Sequence, residues 1–456
     1  MMKLWTRYVV MLVLAVLFAQ DVAAQETLWR DMHKVKRKET IYSIARDYGI
    51  TVDELIKANP EMATPDYVLK KGSFVCIPYP SSAVADTATV TPPSPQPLRQ
   101  GKTDMREREI RVGVMLPLHK VNGDGRRMTE YYRGVLMACD SLRQAGISVD
   151  VHAWNVPEGS DIGQFLTDEA AQLDLIIGPL YSKMLPQLSA FAAEKDIRVL
   201  IPFSIDAPEV GQNRLLYQVY QSPQDFNRLT VERFVQQFRD CHPVIIDCVD
   251  STSTKGSFTR LLRQRLDEEG IIYGLTSLAT SDAKFVQNFS QAQRNVVVLN
   301  TENQKPMRKA FLKLNALMLD NPELELSVFG YTEWMLFTSR NLDNFYKLDV
   351  HIPSAFYYDA MSPRTKRIEL KYRWNFHADM MNSLPRFAIT GFDHAFYFIK
   401  GLHMYGKHFT GSAGMVGYPP IQTPLQFERN GQGGQENRNI MFIHYTPEKR
   451  VETIKF

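Results

Sequence analysis

Small polar side chains follow several apolar runs of this sequence: Tyr181 and Ser182, Ser204, Asp250 and Ser251, and Tyr331 with Glu333. If those runs are parallel strands, these residues face the crevice outside the strands' carboxyl ends, where open α/β sheets bind small ligands. Hydroxyls and free amides around Ser182 and Ser204 then make a ready anion site. The competing role for Ser182 is to cap the helix that follows it. Catalytic motifs are missing: the sequence has no HExxH, no GxSxG, no Walker loop and no Cys-His pair at ligand spacing. His394 and His403 stand nine residues apart on one expected helix, and the run Gly411 to Gly417 follows a helix instead of leading into one. The stretch Asn430 to Asn437 has too little acid for a calcium loop. The expectation is a binding protein that is not an enzyme, with no cofactor and no metal.

The elements that position those groups are legible. Asp174 precedes Leu175-Ile176-Ile177, which Gly178-Pro179 cuts off, as in a strand buried on both faces of a parallel sheet. A helix is expected over Ser182 to Lys195, then a strand Arg198 to Ile201 ending at Pro202-Phe203-Ser204. Before them come a strand Ile110 to Leu118, a helix Thr129 to Ala145, a strand Ser148 to Trp154 and a helix Gly163 to Leu173. After Pro223 the alternation restarts: helices at 225–238, 256–269, 283–293, 304–319 and 332–341, with strands at 244–249, 271–276, 295–299, 324–329 and 354–358. Helices at 364–381 and 391–405 follow, then a hairpin, Leu425 to Arg429 turning through Asn430-Gly431 to Ile440 to Tyr445. Repeated strand-helix alternation requires parallel sheets with right-handed crossovers, and two successive runs of it imply two lobes.

The chain has 456 residues, 44% hydrophobic and 23% charged, an ordinary globular composition for two or three domains. Its net charge of +3 gives no footprint for nucleic acid. Lys3 and Arg7 precede an apolar run, Tyr8 to Ala19, and Val22-Ala23-Ala24 offers small residues for cleavage, so residues 1–24 read as a signal peptide cut near Ala24. With the leader removed no membrane span is expected, and the address is periplasmic. Cys76, Cys139, Cys241 and Cys248 read as small buried hydrophobes; the strand between the last two holds them too far apart for a disulfide.

Residues 33–78 read as a β-α-α-β unit, with Val35 opening a strand, Thr40 and Thr51 capping helices, and Phe74 to Pro78 closing as a strand. Val35 to Ala45, Tyr48 to Leu55, Asn59-Pro60, Leu69 to Gly72 and Ile77-Pro78 resemble the LysM domain, a glycan-binding module. The family usually has Gly-Asp-Thr where this chain has Lys38-Glu39-Thr40. The resemblance implies binding of N-acetylglucosamine-containing glycan, here peptidoglycan, between the turn at Lys38, Glu39, Thr40, Ile41 and Tyr42 and the loop carrying Thr64 and Tyr67. Residues 79–108, rich in Pro, Ser, Thr and Ala, read as an extended linker.

Residues 109–456 resemble the type I periplasmic-binding-protein fold on Val112 to Leu118, Asp174 to Tyr181, Pro202-Phe203-Ser204 and Thr390 to Ala395. The resemblance implies lobe 1 over about 109–222 and 359–418, lobe 2 over about 223–358 and 419–456, and three crossings between them. In amino-acid-binding relatives hydroxyls and strand-end amides hold the ligand carboxylate and an acid holds its amine; Ser182 and Ser204 match the serine positions. Bulky Phe203 and Ile205 depart from the small residues usual there. Two functions follow: a peptidoglycan-bound regulatory or sensing component of the cell envelope, taking a small-molecule or peptide ligand or a protein partner as activators of peptidoglycan synthases do, or the substrate-binding component of an amino-acid or peptide ABC transporter.

Overall fold

The computed structural model describes residues 29–37, 39–64, 67–78 and 104–456. The expected leader, Lys38 and most of the expected linker lie outside them. Two compact units result, one of residues up to 78 with 369–379, the other of 104–368 with 380–456.

In the small unit β1 (Trp29–Lys34) pairs antiparallel with β2 (Phe74–Pro78), around α1 (Ile41–Tyr48) and α2 (Val52–Ala58). The first strand thus ends before Val35 instead of starting there; Val35 turns inward and its N–H bonds to the Ser73 carbonyl at 2.9 Å. Both caps form as capping boxes, Thr40 with Ser43 and Thr51 with Glu54, each satisfying orphan helix donors. Gly49 ends α1 in the left-handed region at φ 67°, where a glycine is unstrained. The core is small: Val35, Ile44, Ala45, Ile50, Leu55, Met62, Val75 and Ile77. Buried Asn59 adds three hydrogen bonds, donating to the carbonyls of Leu55 and Cys76 and accepting from the Cys76 N–H. On the sheet's other face Met32, Phe74 and Cys76 meet Leu370 and Trp374, and Lys34 Nζ lies 2.7 Å from Asp379.

The large unit holds two seven-stranded sheets. The first has β3 (Ile110–Leu116), β4 (Val149–Asn155), β5 (Leu175–Ile177), β6 (Arg198–Ile201) and β7 (Leu216–Gln218), all parallel, in the order β4-β3-β5-β6-β7. The second repeats that order with β8 (His242–Asp247), β9 (Gly274–Ser277), β10 (Asn295–Leu299), β11 (Leu326–Phe329) and β12 (Val350–Ser354), as β9-β8-β10-β11-β12. This doubly wound order has its switch point between the first and third strand of each sheet, the topological site for a ligand. Its helices are α3 (Gly123–Gln144), α4 (Leu185–Lys195), α5 (Pro223–Gln237), α6 (Gly256–Glu268), α7 (Asp282–Val286), α8 (Gln304–Asp320), α9 (Thr338–Lys347) and α11 (Phe387–Tyr405), while α10 (Pro363–Phe376) starts in this unit and from Glu369 on belongs to the small one.

Several expectations are corrected. Residues 163–173 form two short 3-10 turns, not a helix, and α7 stops at Val286. The strand expected at 354–358 is β12, four residues earlier. The expected final hairpin does not form: β13 (Phe427–Arg429) pairs with β14 (Gln435–Asn437) and joins the first sheet beside β7, while β15 (Met441–Tyr445) and β16 (Val451–Lys455) join the second beside β12. The last crossing between sheets therefore falls at 438–440, not at 419. The late helix α11 packs along α3 in the first lobe, so closely that a Cβ on Gly134 would lie 1.9 Å from the Ala388 carbonyl oxygen and one on Gly391 2.0 Å from that of Tyr131.

The four cysteines are free. Burial pushes the thiols of Cys76, Cys139 and Cys248 up to about 12.

Candidate functional site

In the small unit the expected glycan residues divide by what already holds them. Glu39 bonds to His33 Nε2 at 2.7 Å and to the Lys36 N–H at 2.6 Å, and the His33 bond is the main cause of its lowered pKa. Thr40 spends its hydroxyl on the helix cap, Ile41 and Tyr67 pack against the core, and Thr64 donates to the Glu61 carbonyl at 2.8 Å. Tyr42, on the first turn of α1, is 69% exposed. An exposed tyrosine offers a flat apolar face and a polar tip, the surface a sugar ring stacks on.

At the first sheet's strand ends, Ser182 and Ser204 are brought together, their hydroxyl oxygens 2.5 Å apart. Ser204 donates onward to the Asp206 carbonyl at 3.2 Å, which leaves Ser182 as donor to Ser204. Ser182 makes no cap: it opens a 3-10 turn ahead of α4, and its side chain reaches β6's turn instead of its own helix. Tyr181 Oη lies 3.4 Å from Asp124 Oδ2.

The bulky residue next to Ser204 in the chain packs into an aromatic cluster. The Phe203 ring stacks on Tyr220 at 5.9 Å and 13°, meets Tyr131 edge-on at 5.3 Å, and lies beside Phe387 and His394. Beneath it the Tyr131 hydroxyl and His394 Nδ1 are 2.9 Å apart. Sequence reasoning found Phe203 but set His394 aside as a lone histidine, because its partners Tyr131 and Phe203 come from α3 and the turn after β6, remote in sequence.

Burial lowers the His394 pKa from 6.5 to about 3. The unfolded chain therefore takes up a proton below about pH 6.5 that the folded chain refuses, and stability falls with pH at about 1.4 kcal/mol per unit from this group. Urea unfolding at about pH 6.5 and pH 5 should show His394→Gln with a flatter acid limb than the parent; an unchanged slope would contradict the buried neutral ring.

At the second sheet's switch point Asp250 accepts from Thr301 Oγ1 (2.6 Å), Asn303 Nδ2 (2.9 Å) and Thr252 Oγ1 (2.7 Å), and these bonds, Thr301 first, hold its carboxyl far below the usual range. Ser251 is exposed beside it. A second carboxylate stitches the same loops: Glu302 accepts from Ser253 Oγ, Thr254 N and Thr254 Oγ1. Glu302 was missed, although Asn300-Thr301-Glu302-Asn303 just past β10 carries the same polar signal as the residues singled out.

Tyr331 departs from expectation. Its ring is 4% exposed and its hydroxyl donates to the Leu299 carbonyl at 2.7 Å, so it belongs to the core edge, with the Lys255 ammonium 4.9 Å over its ring. Glu333 pairs with Lys255 at 2.7 Å. These three line a groove of about 660 Å³ with Phe226, Arg260 and Leu261, which Asp250 and Ser251 do not reach. Among the described residues no helix is long and apolar enough to cross a membrane.

No curated protein sequence matches the chain. Solved structures similar to it include a putative branched-chain amino acid ABC transporter protein of Rhodospirillum rubrum, 14% identical over 76% of this chain and 96% of that one, TM-score 0.49. LpoA of Haemophilus influenzae is 17% identical over 76% of this chain and 59% of its own, TM-score 0.48. An ABC transporter substrate-binding protein of Desulfitobacterium hafniense in complex with Leu is 12% identical over 76% of this chain and all of that one, TM-score 0.41. The family model that matches is the LysM domain, over residues 33–78, and there the chain carries that domain.

Proposed function

We propose that the protein is exported, binds peptidoglycan through residues 33–78, and uses its two-lobed unit as a regulatory or sensing element of the cell envelope, not as a receptor for free amino acids. The LysM match supports the first half. The second half rests on one observation: the serine pair that would hold a ligand carboxylate is bonded to itself, with Phe203, the chain neighbour of Ser204, packed in an aromatic cluster. A carboxylate arriving there must break the Ser182–Ser204 bond and displace a packed ring, and each costs free energy that a small ligand has few contacts to offset.

A catalytic role has the same weakness. Among the described residues neither serine has a base at hydrogen-bond distance, and their bonds run to each other and to a carbonyl.

A thermal-shift screen of the full chain against amino acids, short peptides and muropeptides tests the reading. A ligand at 100 times its dissociation constant stabilises by about 2.7 kcal/mol, which is visible in the melt. Free amino acids should give no shift, with a synthase or another envelope protein captured in a pull-down. A shift from an amino acid that Ser204→Ala abolishes would establish the transporter-type receptor instead.

A further inference from the structure

We propose that Asp349, His351 and His444 form a binding site for a borderline divalent transition cation, Zn²⁺ in the first place. His351 on β12 and His444 on β15 are directly opposed in the antiparallel register, which brings their rings into a stack 3.9 Å apart. Asp349, just before β12, reaches the same point, with Oδ1 2.6 Å from His444 Nε2. The potential ligand atoms of the three side chains all lie within 4.8 Å of one another. Zinc bonds of about 2.0–2.2 Å place tetrahedral ligand atoms about 3.3 Å apart, so binding turns the two stacked imidazoles about their side-chain torsions until both lone pairs aim at one point beside Asp349 Oδ1, a three-ligand site with a fourth position open.

The surroundings are those of a supported metal site. His351 Nδ1 is 2.9 Å from the Asp349 carbonyl oxygen, which can only accept, so Nδ1 carries the proton and Nε2 keeps its lone pair. Metal-binding histidines are commonly fixed in their tautomer by such a backbone bond. The far carboxylate oxygen of Asp349, Oδ2, is held by Ser327 Oγ at 2.5 Å and Arg294 Nη1 at 3.3 Å, which leaves Oδ1 facing the imidazoles. Arg294 opposes a cation, but it is shared with Glu325 at 3.3 Å. Asp349 also sits at φ 49°, a left-handed conformation that strains a non-glycine residue and that the surroundings must enforce. Asp349 and His351 are buried, while His444 is partly exposed and gives a way in. Two imidazoles and one carboxylate suit zinc and its neighbours in the transition series and not magnesium or calcium.

The test uses the full chain freed of metal by a chelator and titrated with ZnCl₂, reading bound metal by equilibrium dialysis and unfolding by circular dichroism. The expected result is one zinc per chain with a raised melting temperature, no effect of MgCl₂, and binding weakened at least about tenfold in His444→Gln and in Asp349→Asn. His408→Gln, an exposed histidine elsewhere, should bind as the parent does. No stoichiometric binding, or equal binding by the triad variants and the parent, would overturn the proposal. Should a triad variant not fold, Co²⁺ added to the parent should give the visible absorption of a nitrogen- and oxygen-ligated site that zinc displaces, and its absence would overturn the proposal equally.

Discussion

Asp393→Ala should destabilise the large unit by about 4 kcal/mol, because removing one partner of a buried charged network strands the others. Asp393 is fully buried on α11 and accepts four bonds: from Tyr418 Oη (2.7 Å) and from the backbone N–H groups of Ile421 (2.7 Å), Gln422 (2.8 Å) and Thr423 (3.2 Å). Burial raises its pKa despite those donors. The carboxylate thus ties Tyr418 and residues 421–423 back to α11. Asn at this position keeps one acceptor oxygen but turns donors toward donors, so Asp393→Asn should recover only part of the loss. Urea unfolding of the full chain measures both; a loss under about 1 kcal/mol for Asp393→Ala would show that the donors find water or other partners.

Gly391→Val should be at least as damaging, and for a backbone reason. The added Cβ meets the Tyr131 carbonyl oxygen at 2.0 Å, a contact with main chain that no rotamer change relieves, so α3 and α11 must part by about 1 Å or more. Parting these helices unpacks the first lobe where Tyr131 and His394 meet Phe203. We expect a loss of about 4 kcal/mol or more, or a failure to accumulate folded protein. Gly134→Ala strikes the same crossing, at the Ala388 carbonyl oxygen, so the pair Gly134→Ala with Gly391→Ala should cost less than the sum of the single changes. Strict additivity would mean that the two glycines serve separate contacts.

Both positions lie in Thr390-Gly391-Phe392-Asp393-His394-Ala395, which sequence reading treated as a mark of the fold without a role for each residue. The structure supplies the roles: approach for the glycine, anchoring for the aspartate, a buried aromatic contact for the histidine. Their partners are segments remote in sequence, so no local pattern could name them. What was legible were runs with a single physical cause. Leu175 to Ile177, Arg198 to Ile201 and Asn295 to Leu299 are strands covered on both faces, and continuous β-branched and aliphatic residues have few other uses. The strand β12 was displaced in the reading because Val350-His351-Ile352-Pro353 carries a histidine and a proline, which argue against a central strand. Asn430-Gly431 marked a real turn, but one that closes on Gln435 to Asn437; Ile440 onward pairs in the other sheet. Which sheet receives a strand depends on partners far away in sequence.

The site was legible in kind and not in state. Position after a strand picked out Ser182, Ser204 and Asp250, and polar type suggested binding. That Ser182 bonds to Ser204 instead of capping, and that Asp250 and Glu302 spend their oxygens tying neighbouring loops, are long-range events that residue type does not encode. The same loop-tying hid Glu302 until its donors were in view.

Binding of the full chain to insoluble peptidoglycan is the measurement that tests the central claim most directly. The parent protein should sediment with the polymer, and Tyr42→Ala, which removes the exposed aromatic face while leaving the Thr40–Ser43 cap in place, should weaken the association at least about fivefold, the loss expected on truncating an aromatic anchor. Failure of the folded parent chain to sediment at any accessible polymer concentration would contradict the account.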